Sequence, residues 1–373
     1  MWTAALVIAI VIPLTWTILG MLNYGVHSGD TQFGTLKSFL FILILPVVIS
    51  EDVDLASLVA RMGILMVILT FGMVAIYFYS PAVFLMLYTF SIENHNAIIS
   101  ASRDVFGSGV GQFYYKTSAL MIFPFSYYCG RLLQQGTKWL APLLMVLLYG
   151  AALMFSGTRA NLLAAVFVAG ILALRHIRRK FGLTASLAVA VVGIILVSTT
   201  LVSKFADPNE QSNSVKLGHL RSYEEEFGTN PSILLWGQGA DTGFYSEGFD
   251  DWTTVTELSY MELVRVFGIP ITILFCVGLA WIGYAIFTKG AYWMALAYVS
   301  YLAISASNPL LISSTGFVII CAAWKEAVFP SEASSAFHLA DLRSPPISSQ
   351  SGGDRRLSHV RLRVSARVGA QSA

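Results

Sequence analysis

Residues 140–174 read LAPLLMVLLYGAALMFSGTRANLLAAVFVAGILAL. Two apolar runs, Leu140 to Phe155 and Leu162 to Leu174, flank one polar turn, Ser156-Gly157-Thr158-Arg159-Ala160-Asn161. Each run reads as a membrane helix, and the turn places a permanently charged guanidinium where one span ends and the next begins. A charge in such a position is expensive, and the commonest need that keeps it is an anion. The fold class follows from extending this pattern outward.

The chain is 56% hydrophobic and 12% charged, with a mean hydropathy of +0.68. A soluble domain carries about 25% charged residues, so the composition excludes that class. Apolar runs recur at about span length, which reads as an all-α, polytopic transmembrane bundle rather than a barrel of alternating strands. Ten spans are predicted, at 4–22, 36–50, 62–90, 112–130, 139–156, 160–174, 182–202, 258–287, 291–307 and 309–328. The first lacks a basic leader and a small-residue cleavage site and reads as a retained helix. Pro81 is expected to kink or end the third. Cys129, Cys276 and Cys321 all fall inside spans and read as packing residues.

Charge sets the orientation. Arg175-His176-Ile177-Arg178-Arg179-Lys180 is the strongest basic cluster and belongs on the cytoplasmic side. Counting from it puts both termini inside, with Arg61, the Arg131–Lys138 turn and Lys289. Four domains result: spans 1–7 over 1–202, a large outer loop over 203–257, spans 8–10 over 258–328, and a basic, Ser- and Pro-rich cytoplasmic tail over 329–373 that reads as disordered. The loop holds ten acidic residues against Lys204, Lys216 and Arg221.

Candidate site residues cluster on the outer side. Arg159 opens a helix whose N-terminal dipole would add to its fork-shaped cation in holding phosphoryl oxygens; the bland alternative is an interfacial arginine that reaches headgroups. Ser156 and Thr158 share its turn. Arg221 lies in Gly218-His219-Leu220-Arg221-Ser222-Tyr223-Glu224-Glu225-Glu226-Phe227, a short amphipathic helix ending near Gly228. It either binds an anion or pairs with Glu224 or Glu225. His219 is a surface residue or a proton acceptor. Downstream, Asn230-Pro231 leads to Trp236-Gly237-Gln238-Gly239, a turn that brings backbone close to something but is a weak phosphate signal. Glu257, Met261 and Arg265 would share one face of the eighth span. There Glu262 pairs with Arg265, or Arg265 binds the anion while Glu257 acts as base. Tyr260 sits in the same stretch. Phe244, Tyr245 and Trp252 would stack on sugars or pack the loop down.

These motifs, in this order, resemble the O-antigen ligase and O-antigen polymerase superfamily of integral membrane glycosyltransferases. The elements are Ser-Gly-Thr-Arg at an outer turn, a long outer loop with a central arginine, Asn-Pro…Trp-Gly-Gln-Gly, and Glu257-Leu258-Ser259-Tyr260-Met261-Glu262-Leu263 leading to Gly268. They cover about 112–287. The resemblance implies a bacterial inner-membrane enzyme that needs no metal or cofactor and takes a polyprenyl-pyrophosphate-linked oligosaccharide and a glycan acceptor. Membrane lipids, a chain-length regulator and a flippase are its implied partners, and nucleic acid is not. Arg159 and Arg221 match the family's pyrophosphate-facing arginines. Ligases place a histidine where Glu257 stands, which tilts the reading to a polymerase of repeat units over a ligase. A glycan transporter is the rival class, yet the chain shows no internal repeat.

Overall fold

The computed structural model describes residues 2–24, 34–93, 116–133, 139–197 and 211–329. The chain is mainly helical. Among the described residues, four helices are long and apolar enough to cross a membrane: Trp2–Asn23, Leu58–Tyr79, Arg159–Val192 and Ser259–Thr288. Shorter apolar helices pack among them.

The first helix runs through α1 (Trp2–Leu6), a π-helical turn (Val7–Val11) and α2 (Ile12–Tyr24). Pro13 has no N–H to offer the preceding turn, and the backbone answers with an Ile12 N–H to Val7 carbonyl bond, one residue wider than an α-helical one. Next come α3 (Gly34–Phe39), a 3₁₀ turn (Leu40–Leu43) and α4 (Ile44–Ser50). Pro81 divides the expected third span into α5 (Leu55–Tyr79) and α6 (Pro81–Glu93), because it leaves the Tyr77 carbonyl without its helical donor. The pieces stay in contact through Tyr77 and Phe84, 5.3 Å apart edge to face.

A 3₁₀ stretch (Lys116–Met121) leads into α7 (Ile122–Leu132); the part of the predicted fourth span before residue 116 lies outside the described residues. Helix α8 (Leu140–Phe155) follows, then α9 (Arg159–Val197). The two spans expected at 160–174 and 182–202 fall on the limbs of α9, divided at Gly182, whose φ of 88° suits glycine; residues 198–202 lie outside the described residues. Ser186 Oγ lies 3.4 Å from the Leu174 carbonyl, so the second limb turns back on the first.

The predicted outer loop has its own secondary structure: α10 (Gln211–Thr229), α11 (Ile233–Trp236), and an antiparallel hairpin of β1 (Phe244–Ser246) and β2 (Asp251–Thr253). Helix α10 is longer than the stretch expected around 218–227, and residues 203–210 are outside the described residues. Three helices close the described chain: α12 (Ser259–Thr288), α13 (Tyr292–Ser305) and α14 (Ser314–Val328). The Ser313 hydroxyl caps α14 by accepting from the Gly316 N–H at 3.1 Å.

Helices α7, α13 and α14 supply much of the buried core. Tyr298, Tyr301 and Phe317 are fully buried, and Ser126 donates to the Trp293 carbonyl at 2.7 Å. Cys129 and Cys321 are buried and Cys276 half-buried, all as free thiols.

Candidate functional site

The best-defined polar site is where the 211–258 layer meets the helices, and α12 builds it. This helix is broken at Gly268 (φ 78°, ψ 166°), so the expected continuous span 258–287 is a nine-residue piece followed by a longer apolar one. Breaking a helix frees carbonyls that must find donors. Here the Gln238 N–H donates to the Arg265 carbonyl at 2.6 Å and the Gly239 N–H to that of Val266 at 3.2 Å. Gly237 has nearly the same dihedrals as Gly268, φ 77° and ψ 165°. The strands pass so closely that a Cβ on Gly237 would lie 2.2 Å from the Val266 oxygen, and one on Gly268 2.4 Å from the Leu235 oxygen. The Trp-Gly-Gln-Gly segment therefore brings its backbone close to a broken helix of its own chain.

Arg265 lies at the centre of this crossing, fully buried. Its Nε donates to Glu262 Oε2 (3.2 Å) and its Nη2 to Glu262 Oε1 (2.5 Å) and the Thr254 carbonyl (3.0 Å). Its Nη1 donates to Gln238 Oε1 (2.6 Å) and to the Thr242 carbonyl and hydroxyl (2.9 and 3.0 Å). Every guanidinium nitrogen is engaged, and the Phe244 ring covers the group with its centroid 4.6 Å from Cζ. The Tyr223 hydroxyl donates to Glu262 at 2.8 Å and lies 2.6 Å from Thr256 Oγ1. Burial, and then the Glu262 charge, push the Tyr223 phenol well above its usual pKa, so it stays a donor. Gln238 passes the network on to Glu226, 3.2 Å away.

This arrangement corrects the expectation that Arg265 binds a ligand: its donors end on protein groups and none faces an opening. It also corrects the shared face proposed for Glu257, Met261 and Arg265. Glu257 precedes the helix, which begins at Ser259, and its carboxylate lies 3.9 Å from Lys216. Tyr260 is half-buried and donates to the Leu302 carbonyl at 3.2 Å, tying α12 to α13.

His219 is not on the surface. It is fully buried, with Nδ1 2.7 Å from Ser246 Oγ, Nε2 without a hydrogen-bond partner among the described residues, and its ring edge-to-face with Phe249 at 4.4 Å. Burial lowers its pKa below the usual 6.5, which favours the uncharged ring. It anchors the hairpin to α10, as Ser222 does by accepting from the Glu247 N–H at 2.8 Å.

Arg221 occupies the opposite face of α10, mostly exposed. It pairs not with Glu224 or Glu225 but with Glu247 of the hairpin, at 4.0 Å. Two residues before Glu247, Tyr245 is exposed beside its cross-strand neighbour Trp252, ring centroids 6.5 Å apart. The Tyr245 hydroxyl donates to Asp250, and that bond holds its pKa up. Arg221 with Glu247, and Tyr245 with Trp252, are thus two exposed pairs carried by the α10–hairpin unit, while Phe244, their companion in sequence, is buried.

At the turn before α9, Ser156 is fully buried, donates to the Leu153 carbonyl at 2.6 Å and accepts from Asn161 Nδ2 at 2.9 Å. Asn161 also donates to Ser118 at 3.1 Å. Thr158 Oγ1 accepts from the Asn161 N–H at 3.4 Å, the N-cap position. Ser156 and Thr158 therefore hold the turn, and the half-buried Arg159 is the first residue of the helix they cap. Sequence reading missed Tyr223, Gln238 and Thr242. The signal for Tyr223 was there: His219, Ser222, Tyr223 and Glu226 recur at helical spacing along the buried face of α10.

These features define a helical protein with membrane-length apolar helices and a polar layer latched to them by the hydrogen bonds of a buried, ion-paired arginine. No family model, curated protein or solved structure matches the chain.

Proposed function

We propose that this chain is a membrane glycosyltransferase that polymerises or transfers polyprenyl-pyrophosphate-linked oligosaccharide repeat units at the outer face of a bacterial inner membrane. The reading takes the chain as about ten spans with both termini inside and the 203–257 loop outside. It rests on the ordered motifs from Ser156 to Gly268 and on one structural observation, the exposed Arg221–Glu247 and Tyr245–Trp252 pairs carried by one helix–hairpin unit on a layer latched by Arg265. A cation and paired aromatic rings on one unit suit a ligand that is a phosphate at one end and a sugar at the other.

In the reaction, the bond between the donor's anomeric carbon and its pyrophosphate oxygen breaks, and an acceptor hydroxyl oxygen bonds to that carbon. The hydroxyl proton passes to a carboxylate or to water, and polyprenyl pyrophosphate leaves. Arg221 and Arg159 offset the charge growing on the leaving group. Glu257, partly exposed beside Lys216, is the carboxylate proposed as base. Tyr245 and Trp252 hold a sugar ring.

The test is transfer in vesicles by the purified protein, supplied with a polyprenyl-pyrophosphate oligosaccharide and read by gel and mass spectrometry. Polymer from the wild type and a large loss in Trp252→Ala are expected. Wild-type protein that yields neither polymer nor transfer product would overturn the reading.

A further inference from the structure

Leu235 and Trp236 end the short helix α11 and are 59% and 71% exposed. Large apolar side chains left outside a fold mark a surface that something else covers. Their exposure is not slack in a loop. The Trp236 N–H donates to the Ser232 carbonyl at 3.0 Å, and the Trp236 carbonyl accepts from Trp16 Nε1 at 2.9 Å. One residue on, Gly237 meets the Val266 backbone, so the segment is held at both ends with these side chains outside. The surrounding sequence is unusual for the layer. No charged residue stands between Glu226 and Asp241, although acids are frequent on either side.

The height of this segment is set by α12. Beyond Gly268, residues 269–288 are helical, twenty in all, and extend about 30 Å, the thickness of a bilayer's hydrocarbon core. Lys289 ends that stretch. Ile269, Ile273, Val277, Trp281 and Tyr284 recur at helical spacing along it, and all are exposed, as a lipid-facing side requires. Gly268 therefore stands at the boundary of the core opposite Lys289. The Leu235 carbonyl lies against it, 2.4 Å from where a Cβ of Gly268 would be. Trp16, which holds Trp236, belongs to another membrane-length helix, Trp2–Asn23. Helix α11 is thus tied to two apolar helices at the level where hydrocarbon gives way to headgroups. Tryptophan favours that level, since its ring is apolar and its N–H can meet water or phosphate.

We infer that α11 is a membrane-interface anchor, with Leu235 and Trp236 buried about 5–10 Å into the headgroup and upper acyl region of a phospholipid bilayer. The uncharged run from 227 to 240 and the lipid-facing side of α12 that begins at the same level select lipid over a soluble partner or a second copy. Bilayer contact then sets the height of the polar layer, because Gln238, two residues after Trp236, is bonded to Arg265. The inference needs α12 to cross a bilayer and does not depend on the glycan chemistry proposed above.

The experiment uses the full-length protein, with Cys276 replaced by serine, in phosphatidylethanolamine–phosphatidylglycerol vesicles. A nitroxide is attached at Leu235→Cys, at Val277→Cys on the exposed side of α12, and at Glu224→Cys on the exposed side of α10. Collision rates are read with oxygen, which concentrates in lipid, and with a water-soluble nickel chelate. The label at 235 is expected to favour oxygen, as the one at 277 does but at a shallower depth, while the label at 224 favours nickel. A nickel preference at 235 equal to that at 224 would put α11 in water. Low rates with both reagents would put it under protein. Either result overturns the inference. The unlabelled protein gives a second reading. In vesicles whose lipids carry bromine near the head of the acyl chain, the wild type should lose more fluorescence than Trp236→Phe, and by a wider margin than with bromine near the chain end. Equal quenching of the two proteins would likewise overturn it.

Discussion

Arg265 and Arg221 are both arginines that the sequence offers as anion ligands, and their surroundings separate them. Removing one partner of a buried ion pair leaves an uncompensated charge, at a cost of about 3–5 kcal/mol. Arg265→Met and Glu262→Gln should therefore each lower the unfolding midpoint strongly and loosen the 211–258 layer, seen as faster proteolysis there. Arg221 pairs across solvent with Glu247, and such pairs contribute about 0–1 kcal/mol. Arg221→Ala should leave the midpoint almost unmoved, yet lose activity on the order of a hundredfold if the side chain offsets leaving-group charge. Near-normal turnover by a well-folded Arg221→Ala removes it from the site. The sequence showed that Glu262 and Arg265 could pair at i, i+3. It could not show that Gln238, Thr242 and Thr254, distant in sequence, would use the remaining donors. Burial of an arginine is decided by those partners, and nothing local encodes them.

Among the elements, what the sequence made legible is the helices set by apolar length and by proline, including the break at Pro81. The broken α12 is less legible, because Phe267-Gly268-Ile269-Pro270 in an apolar run also suits a mild kink. Its reversal depends on a second glycine thirty-one positions earlier. Gly268 occupies a φ/ψ region that other residues enter at a cost of about 1–3 kcal/mol, and an added Cβ also meets the Leu235 oxygen at 2.4 Å. Gly268→Ala should therefore lower the unfolding midpoint clearly. Gly72→Ala, in open space within α5, should leave it nearly unchanged; equal effects would deny the crossing its role. The α10–hairpin unit carries a pH dependence of definite sign. Burial lowers the His219 pKa below 6.5, so below that pH the unfolded chain binds a proton that the folded one refuses. The unit's stability is full above about pH 6.5 and falls as pH drops toward the folded value. Half-buried Asp241 and Glu226, whose carboxyl pKa values desolvation raises, act in the opposite direction nearer the acid range. Protection against hydrogen exchange in α10, each rate taken relative to the intrinsic rate at the same pH, should fall from pH 7.5 to 5.5, and His219→Gln should flatten that response. A wild-type response as flat as the variant's would remove His219 as its source.

For the whole molecule, charge distribution and packing agree on which segments share a side of the bundle, and charge bias alone proposes which side is cytoplasmic. Arg175 to Lys180 lie at the Gly182 end of α9's first limb, and the Arg175 guanidinium stacks on Tyr292, next to the Lys289 turn. Lys289 in turn donates to the Val328 carbonyl at 2.7 Å, and Lys325 to Asp52 at 3.0 Å. These contacts gather the basic turns and the end of α14 on one side of the bundle. The polar layer lies on the other: its Ala240 N–H donates to the Trp16 carbonyl and its Asp241 accepts from Thr35. The sequence conveyed this polarity because lysine and arginine bias survives in a single chain. It could not reveal that the loop is a folded layer, since its helix and hairpin are held by buried side chains far apart in sequence. If the basic side is cytoplasmic, an impermeant thiol reagent added outside whole cells should label Ser232→Cys, exposed in the layer, and should reach Thr288→Cys only after permeabilisation. The native thiols at 129 and 321 are buried and should stay silent, while Cys276, half-buried, is replaced by serine beforehand. Labelling of Thr288→Cys in intact cells would invert the topology. It would place the Arg221–Glu247 and Tyr245–Trp252 pairs in the cytoplasm and remove them from any outer-face glycan chemistry.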